Sequence, residues 1–288
     1  MAEDSEKGYT MDVQAALKVI SADAARGEMV FPTHSEIALR VQRALDDPDC
    51  STEQLSKLIS AEPILSAKVV SIANSVAYNP SGRGISDVRS AVSRLGFNTL
   101  RTLVTVVVVR QMQGMAKSPA HRALAARLWE HTAHVATLAR VIARRVTKLD
   151  PEAAFFAGIV HEMGGFYLIS RADAFPGLLE SNLEAWYGEG EAEVGRSVLR
   201  AIDVPANILE ALETLWGGYL AMPAESLGDT LLLADYLAPI ESPLAELAGM
   251  SRQGMATEID LLVDDELMSS ILADSAEEVA SLLAALRS

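Results

Sequence analysis

Of the five histidines in this 288-residue chain, His161 stands beside a carboxylate, Glu162, in the apolar run Phe155-Phe156-Ala157-Gly158-Ile159-Val160-His161-Glu162-Met163-Gly164-Gly165. An imidazole next to an acid on a buried helix is either part of a metal site or a hydrogen-bonded core pair whose acid faces water. Together with His131 and Asp235, the pair supplies two imidazoles and two carboxylates from three helical segments. Such a set suits Fe, Mn, Mg or Zn, and an ion held there can activate water against phosphorus. Adjacent helical residues point about 100° apart, so His161 and Glu162 reach one ion only if it sits against the helix edge. Spacing alone leaves both readings open.

Other chemically able residues have plainer readings. His134 lies three residues after His131 on the same helix face. Arg140, Arg144 and Arg145 sit near a helix C-terminus, where basic side chains offset the dipole and face water. Asn74 ends a helix and reads as a cap, and His34 and His121 read as loop and helix-start residues. The lone cysteine, Cys50, falls in a polar loop, has no internal disulfide partner and fits a reducing compartment.

The elements that must carry these residues read as helices throughout. Residues 11–26 form a short amphipathic helix, and Phe31-Pro32-Thr33 breaks the chain before a helix from Ser35. Ser51-Thr52-Glu53-Gln54 is a capping box. A helix from Asp87 is expected to stop at Gly96, and another to start at Asn98. The β-branched run Thr105–Val109 would suit a strand, but no partner strand lies nearby, so it reads as a buried helix. A long helix is expected from about residue 120 to 147. Asp150-Pro151 opens the next, with Asp as cap and Pro in the first turn, and His161-Glu162 near its middle. Further helices are expected near 177–187, 190–202, 205–216, 226–239 and 265–287, with breaks at Ser242-Pro243 and Gly254. The resulting division is an N-terminal extension (1–27), a helical unit (28–117), a second helical unit (118–240) and a C-terminal helical extension (241–288), all-α.

Half of the residues are apolar, enough for a sizeable core. A net charge of −15 repels phosphate backbones and argues against sequence-independent nucleic-acid binding. The N-terminal stretch has no signal-peptide core, and the apolar run at 103–109 is too short for a bilayer. The expectation is a soluble, cytoplasmic protein that binds neither nucleic acid nor membrane.

The segments LWEHTAHVATLARVIARR, DPEAAFFAGIVHEMGG and LLLADYLA resemble the HD superfamily of metal-dependent phosphohydrolases. The stretch from Phe31 to Val104, with Asn74-Ser75, Tyr78 and AVSRLGFNTLR, resembles the HDOD family, signalling output domains related to HD proteins. The resemblance spans roughly residues 28 to 240. It implies an all-α fold, an N-terminal helical subdomain packed on an HD-like one, and a regulatory role in bacterial signal transduction. It maps metal ligands onto His131, His161 and Asp235, with Glu162 where the HD pair has Asp. It also implies a His before EVG and a His pair further on, where this chain has Glu191 and Leu215-Trp216.

Three functions follow. The favoured one is a non-catalytic regulator acting through a protein partner: a kinase, a response regulator or a second-messenger enzyme. The others are a metal phosphohydrolase acting on a nucleotide and a nucleotide sensor using the degenerate pocket. The reading leans against turnover and against a resident cofactor, with Fe, Mn, Mg or Zn as candidates at His131, His161, Glu162 and Asp235. Homodimerisation through the C-terminal helix is a further expectation.

Overall fold

A computed structural model describes residues 12–26, 35–180, 183–221, 223–250 and 265–287. The expected acidic N-terminal stretch, the Phe31-Pro32-Thr33 break, His34 and the Gly254 break lie outside these residues. The first five helices are α1 (Val13–Ala25), α2 (Ser35–Asp46), α3 (Thr52–Ser60), α4 (Pro63–Asn74) and α5 (Val88–Gln113). The next seven are α6 (Pro119–Ile142), α7 (Pro151–Val160), α8 (Met163–Arg171), α9 (Glu191–Ala201), α10 (Ala206–Gly217), α11 (Leu227–Leu237) and α12 (Pro243–Leu247). Two more among the described residues are α13 (Asp265–Asp274) and α14 (Ala276–Arg287). No strand occurs among the described residues, so the all-α expectation holds.

Local chemistry sets many of the helix starts. Ser51 and Gln54 form the expected capping box, each side chain bonded to the other's backbone N–H. Asp150 accepts from the Glu152 amide ahead of Pro151, and Ser226 with Asp229 forms a second box that opens α11. The run Thr105–Val109 is helical and wholly buried within α5. Its β-branched side chains fill a core shared with α2, α3, α4, α7 and α8, and this packing outweighs their weak helix preference.

Gly96 ends a helix as expected: at φ 74° and ψ 171° it leaves the helical path, and a second helix follows it within the span of α5. Three expectations need correcting. The long helix stops at Ile142 and widens into a π-turn over Ala143–Thr147, closed by Lys148 in a left-handed conformation. Residues 177–185 hold no helix among those described; Gly177, at φ 87°, follows Pro176 and turns the chain toward a π-turn at Trp186–Gly190. Last, His161 and Glu162 are not mid-helix. They form the joint where α7 ends and α8 restarts at Met163. Gly164 lies against Gly195 so closely that an added Cβ would meet its Cα at 2.9 Å. Tertiary approach thereby sets a corner that helical periodicity does not show.

The core is organised around α6, which packs on α7, α11, α8 and α14. Its crossing with α7 is tightest at Gly158, where a Cβ would stand 2.4 Å from the Ala136 Cα. Nearer the start of α7, Glu152 gathers a partly buried network. It accepts from Tyr78 Oη at 2.5 Å and Thr99 Oγ1 at 2.9 Å and pairs with Arg140. Arg140 is 6% exposed and also meets Glu278 at 2.5 Å, so it is a core ion-pair residue rather than the solvated one expected from its place near a helix end. Burial and the Glu152 charge push the Tyr78 phenol well above its usual range.

The C-terminal helix is tied to the same region. Lys68 Nζ donates to the Ala285 and Leu286 carbonyls at 3.2 and 3.1 Å, and Ser281 Oγ accepts from the Val76 amide. Leu282, Leu283 and Leu286 are buried, so the apolar face expected to serve dimerisation packs within the chain. Two stretches, Val88–Gln113 and Pro151–Ala174, are long and apolar enough to cross a bilayer, and both are mostly buried in the protein's own core.

Gly158→Ala is expected to destabilise the fold by about 1–3 kcal/mol, because the backbone clash outweighs the helix preference of alanine. Gly84→Ala, where a Cβ meets nothing within 4 Å, should stay within about 0.5 kcal/mol of the parent. Thermal melts of the two variants side by side check this.

Candidate metal centre and cavity

The α6–α7 crossing brings His131 and His161 edge to face, with ring centroids 5.1 Å apart. Each ring is oriented by a backbone carbonyl: His131 Nδ1 lies 2.8 Å from the Ile240 oxygen and His161 Nδ1 lies 2.7 Å from the Gly158 oxygen. A carbonyl only accepts, so each Nδ1 carries the hydrogen and donates it. The two Nε2 atoms then face each other at 3.1 Å. Two bare nitrogen lone pairs at that separation repel, so the contact is stable only with positive charge between them, either a proton on one Nε2 or an ion bound by both.

Asp235 from α11 completes the group, its Oδ1 3.3 Å from His131 Nε2. One ligand atom from each of His131, His161 and Asp235 lies within 4.8 Å of the others. The Nε2 separation matches what two bonds of about 2.1 Å to one ion give at a near-right angle. A carbonyl fixing the far nitrogen is the usual way to orient a metal-binding imidazole. The donor set therefore fits a single divalent ion.

Glu162, the fourth expected ligand, stands slightly aside. Its Oε1 is 3.8 Å from His131 Nε2 and accepts from Ser242 Oγ at 2.6 Å. Its Oε2 is buried with no hydrogen-bond partner. The longer Glu side chain, where the resemblance has Asp, thus reaches the next helix start rather than closing on the histidines. His134 joins none of these contacts.

Burial governs the proton equilibria. It pushes the Glu162 carboxyl up to about 7, with Ser242 pulling the other way and the nearby Asp235 charge adding to the rise. Burial, then the charges of Glu162 and Asp235, hold Glu191 well above the usual carboxylate range. Desolvation, with His131 adjacent, lowers His161 to about 4.

The cluster opens onto a cavity of about 330 Å³. Glu162, Glu191, Asp235 and Glu241 line it, as do Trp186, Tyr187, Trp216 and Tyr236. No Lys or Arg lines it among the described residues. Leu215 and Trp216, at the place where the resemblance expects histidines, form part of its apolar wall. Ser242 and Glu241 were not singled out from the sequence, where Ser242-Pro243 reads only as a helix break. The place of Glu191 on the cavity wall also had no sequence signal, since it depends on α9 packing back on α8.

The helical architecture and the two-histidine cluster together define an HD-like fold. The family model of the HDOD domain matches residues 31–215. The chain belongs to the HDOD domain family. Solved structures agree on the fold. A protein from Shewanella amazonensis SB2B, provisionally named a metal-dependent phosphohydrolase, is 22% identical with a TM-score of 0.70, over 95% of this chain and 99% of that one. An HDOD domain protein of unknown function from Geobacter sulfurreducens is 22% identical with a TM-score of 0.59, over 96% and 98%. A protein from Marinobacter aquaeolei VT8, provisionally named a signal transduction protein, is 18% identical with a TM-score of 0.56, over 96% and 67%. No curated protein matches the chain.

Glu162 makes the pH dependence of stability testable in chelator-treated protein. Between pH 4.5 and about 7 the unfolded chain has released this proton while the folded chain keeps it, so stability falls as pH rises. His161 acts in the opposite sense, adding stability as pH rises from about 4 to 6.5. Glu162→Gln removes the first effect alone. Its stability relative to the parent is expected to increase steadily from pH 4.5 to 7 in urea unfolding; a difference independent of pH would contradict the assignment.

Proposed function

We propose that this protein is a regulatory HDOD protein that acts in signal transduction by binding a protein partner, and that its HD-type cluster holds one divalent ion without turning over phosphoesters. The observation that carries this reading is the lining of the cavity: four carboxylates, an apolar wall at Leu215 and Trp216, and no basic side chain among the described residues. A unit negative charge about 4 Å from an ionised carboxylate meets roughly 4 kcal/mol of repulsion at an effective dielectric of about 20. That is about half of the free energy of a micromolar complex. A phosphohydrolase needs the opposite arrangement, with cationic groups spread over the transferring phosphoryl.

His131, His161 and Asp235 would hold the ion, which when bound supplies fixed positive charge and Lewis acidity at that point. The chain's own residues do the positioning. The Ile240 and Gly158 carbonyls fix the two imidazoles, and Ser242 holds Glu162 beside them. Partner binding is supported by exposed apolar residues at or next to the cavity mouth. Tyr187 and Met250 line it, and Tyr219, 77% exposed, follows the lining residue Gly218. A kinase, response regulator or second-messenger enzyme is the proposed class of partner.

The test is a phosphoesterase assay on nucleotides and on bis-p-nitrophenyl phosphate, with Mn, Fe, Mg or Zn supplied. Expected activity is no higher than that of His131→Ala. Metal-dependent turnover that disappears in His161→Ala would overturn the reading in favour of the hydrolase.

A further inference from the structure

We propose that the groove between α4 and α6, filled in this structure by α14, is a docking site for an acidic amphipathic helix of a partner protein, and that α14 competes for it as a built-in occupant. This rests on the reading that the protein acts by binding a protein partner, and goes on to name the surface and the chemistry it selects. Both walls of the groove, α4 and α6, lie within the residues that the HDOD family model matches, whereas the occupant lies beyond them.

The groove meets the two ends of its occupant with positive charge. Arg140, at the end of α6, is 6% exposed, and Arg144 stands one turn further on. Between them they take both carboxylate oxygens of Glu278 in the first turn of α14, with Arg140 Nη1 2.5 Å from Oε1 and Arg144 Nη2 against Oε2. At the other end Lys68, also 6% exposed, donates to the Ala285 and Leu286 carbonyls at 3.2 and 3.1 Å. These belong to the last turn of α14, where a helix presents carbonyls that have no partner of its own and favours a cation. Along the length between, Leu282, Leu283 and Leu286 are buried, and the Val76 amide donates to Ser281 Oγ at 2.9 Å. The outer face, with Ala276, Glu277, Ala280 and Ala284, is exposed.

These contacts specify what the groove accepts. An acid must stand in the first turn, leucines four, five and eight positions after it, and the helix must end at Lys68. A partner helix with that pattern satisfies the groove as α14 does, by laying an apolar face into it. The charges also make an exchange workable. Arg140 keeps Glu152 when Glu278 leaves, and the Arg144 side chain is 37% exposed and reaches water. Buried Lys68 loses the two carbonyls to which it donates, which favours refilling the groove over leaving it empty.

The test is fluorescence anisotropy with a labelled synthetic peptide of residues 265–287, titrated with the full chain and with full-length Glu278→Arg. The substitution sets a further positive charge against Arg140 and Arg144, so it loosens α14 and leaves the groove unaltered. The loosened chain is expected to bind the native peptide one to one, at least tenfold more tightly than the parent, whose own α14 competes. A peptide carrying the same Glu278→Arg change should bind the loosened chain at least tenfold more weakly than the native peptide. Circular dichroism melts establish that the variant is folded, and full-length Glu278→Ala serves if it is not. Absence of peptide binding by a folded loosened chain, equal affinity for parent and loosened chain, or equal affinity for the two peptides overturns the proposal. Phosphoester turnover would defeat the regulatory reading whether or not the peptide binds, whereas failed peptide binding without turnover defeats this proposal alone.

Discussion

A glycine laid against a backbone sets the distance on which the rest of this protein depends. At the α6–α7 crossing, Gly158 leaves no room for a Cβ beside Ala136, and its carbonyl also receives the His161 Nδ1–H. The residue that lets the helices touch is therefore the one that aims the imidazole. With His131 held likewise by the Ile240 carbonyl, two Nε2 lone pairs converge at 3.1 Å. That arrangement is unfavourable unless positive charge lies between them. The packing of the core thus creates a demand for a cation, and Asp235 answers the same demand from the α11 side.

What surrounds that point decides what it can do. An ion close to His131, His161 and Asp235 would sit in a cavity lined by further acids, with no Lys or Arg among the described residues, and with an apolar wall at Leu215 and Trp216. Fixed negative charge attracts cations and opposes the anionic oxygens of a phosphoester. Away from the cavity, one group of largely buried charges is matched by ion pairs. Glu152 meets Arg140, Thr99 and Tyr78, and Glu278 on the C-terminal helix meets Arg140 and Arg144. These pairs join α14 to α6 and α7. Removing one partner would leave the other buried and uncompensated, which is costly.

Much of the fold was legible because its signals are local. The capping box at Ser51, the Asp150-Pro151 start and the helical reading of Thr105–Val109 all rest on a few adjacent residues and on the lack of any partner strand. The candidate set His131, His161, Glu162 and Asp235 was read first from residue types and then matched by the resemblance, and the structure brings His131, His161 and Asp235 within 4.8 Å of one another. Illegible features were tertiary. The corner at His161-Glu162 needs Gly164 to meet Gly195 across the fold. Burial of Arg140 depends on Glu278, more than a hundred residues away in sequence. Ser242 finds Glu162 only once α12 has been placed beside α6. Periodicity reports which face of a helix is buried, but not which polar group waits on the other side.

The central claim, that packing has built a site for one cation, is tested most directly by metal content. Untagged protein purified without chelator, from cells supplied with Fe, Mn and Zn, would be measured by inductively coupled plasma mass spectrometry beside His161→Ala. Close to one equivalent of a divalent transition metal per chain is expected, and the variant should lose it. No metal in either sample would contradict the claim and leave the paired imidazoles to share a proton instead.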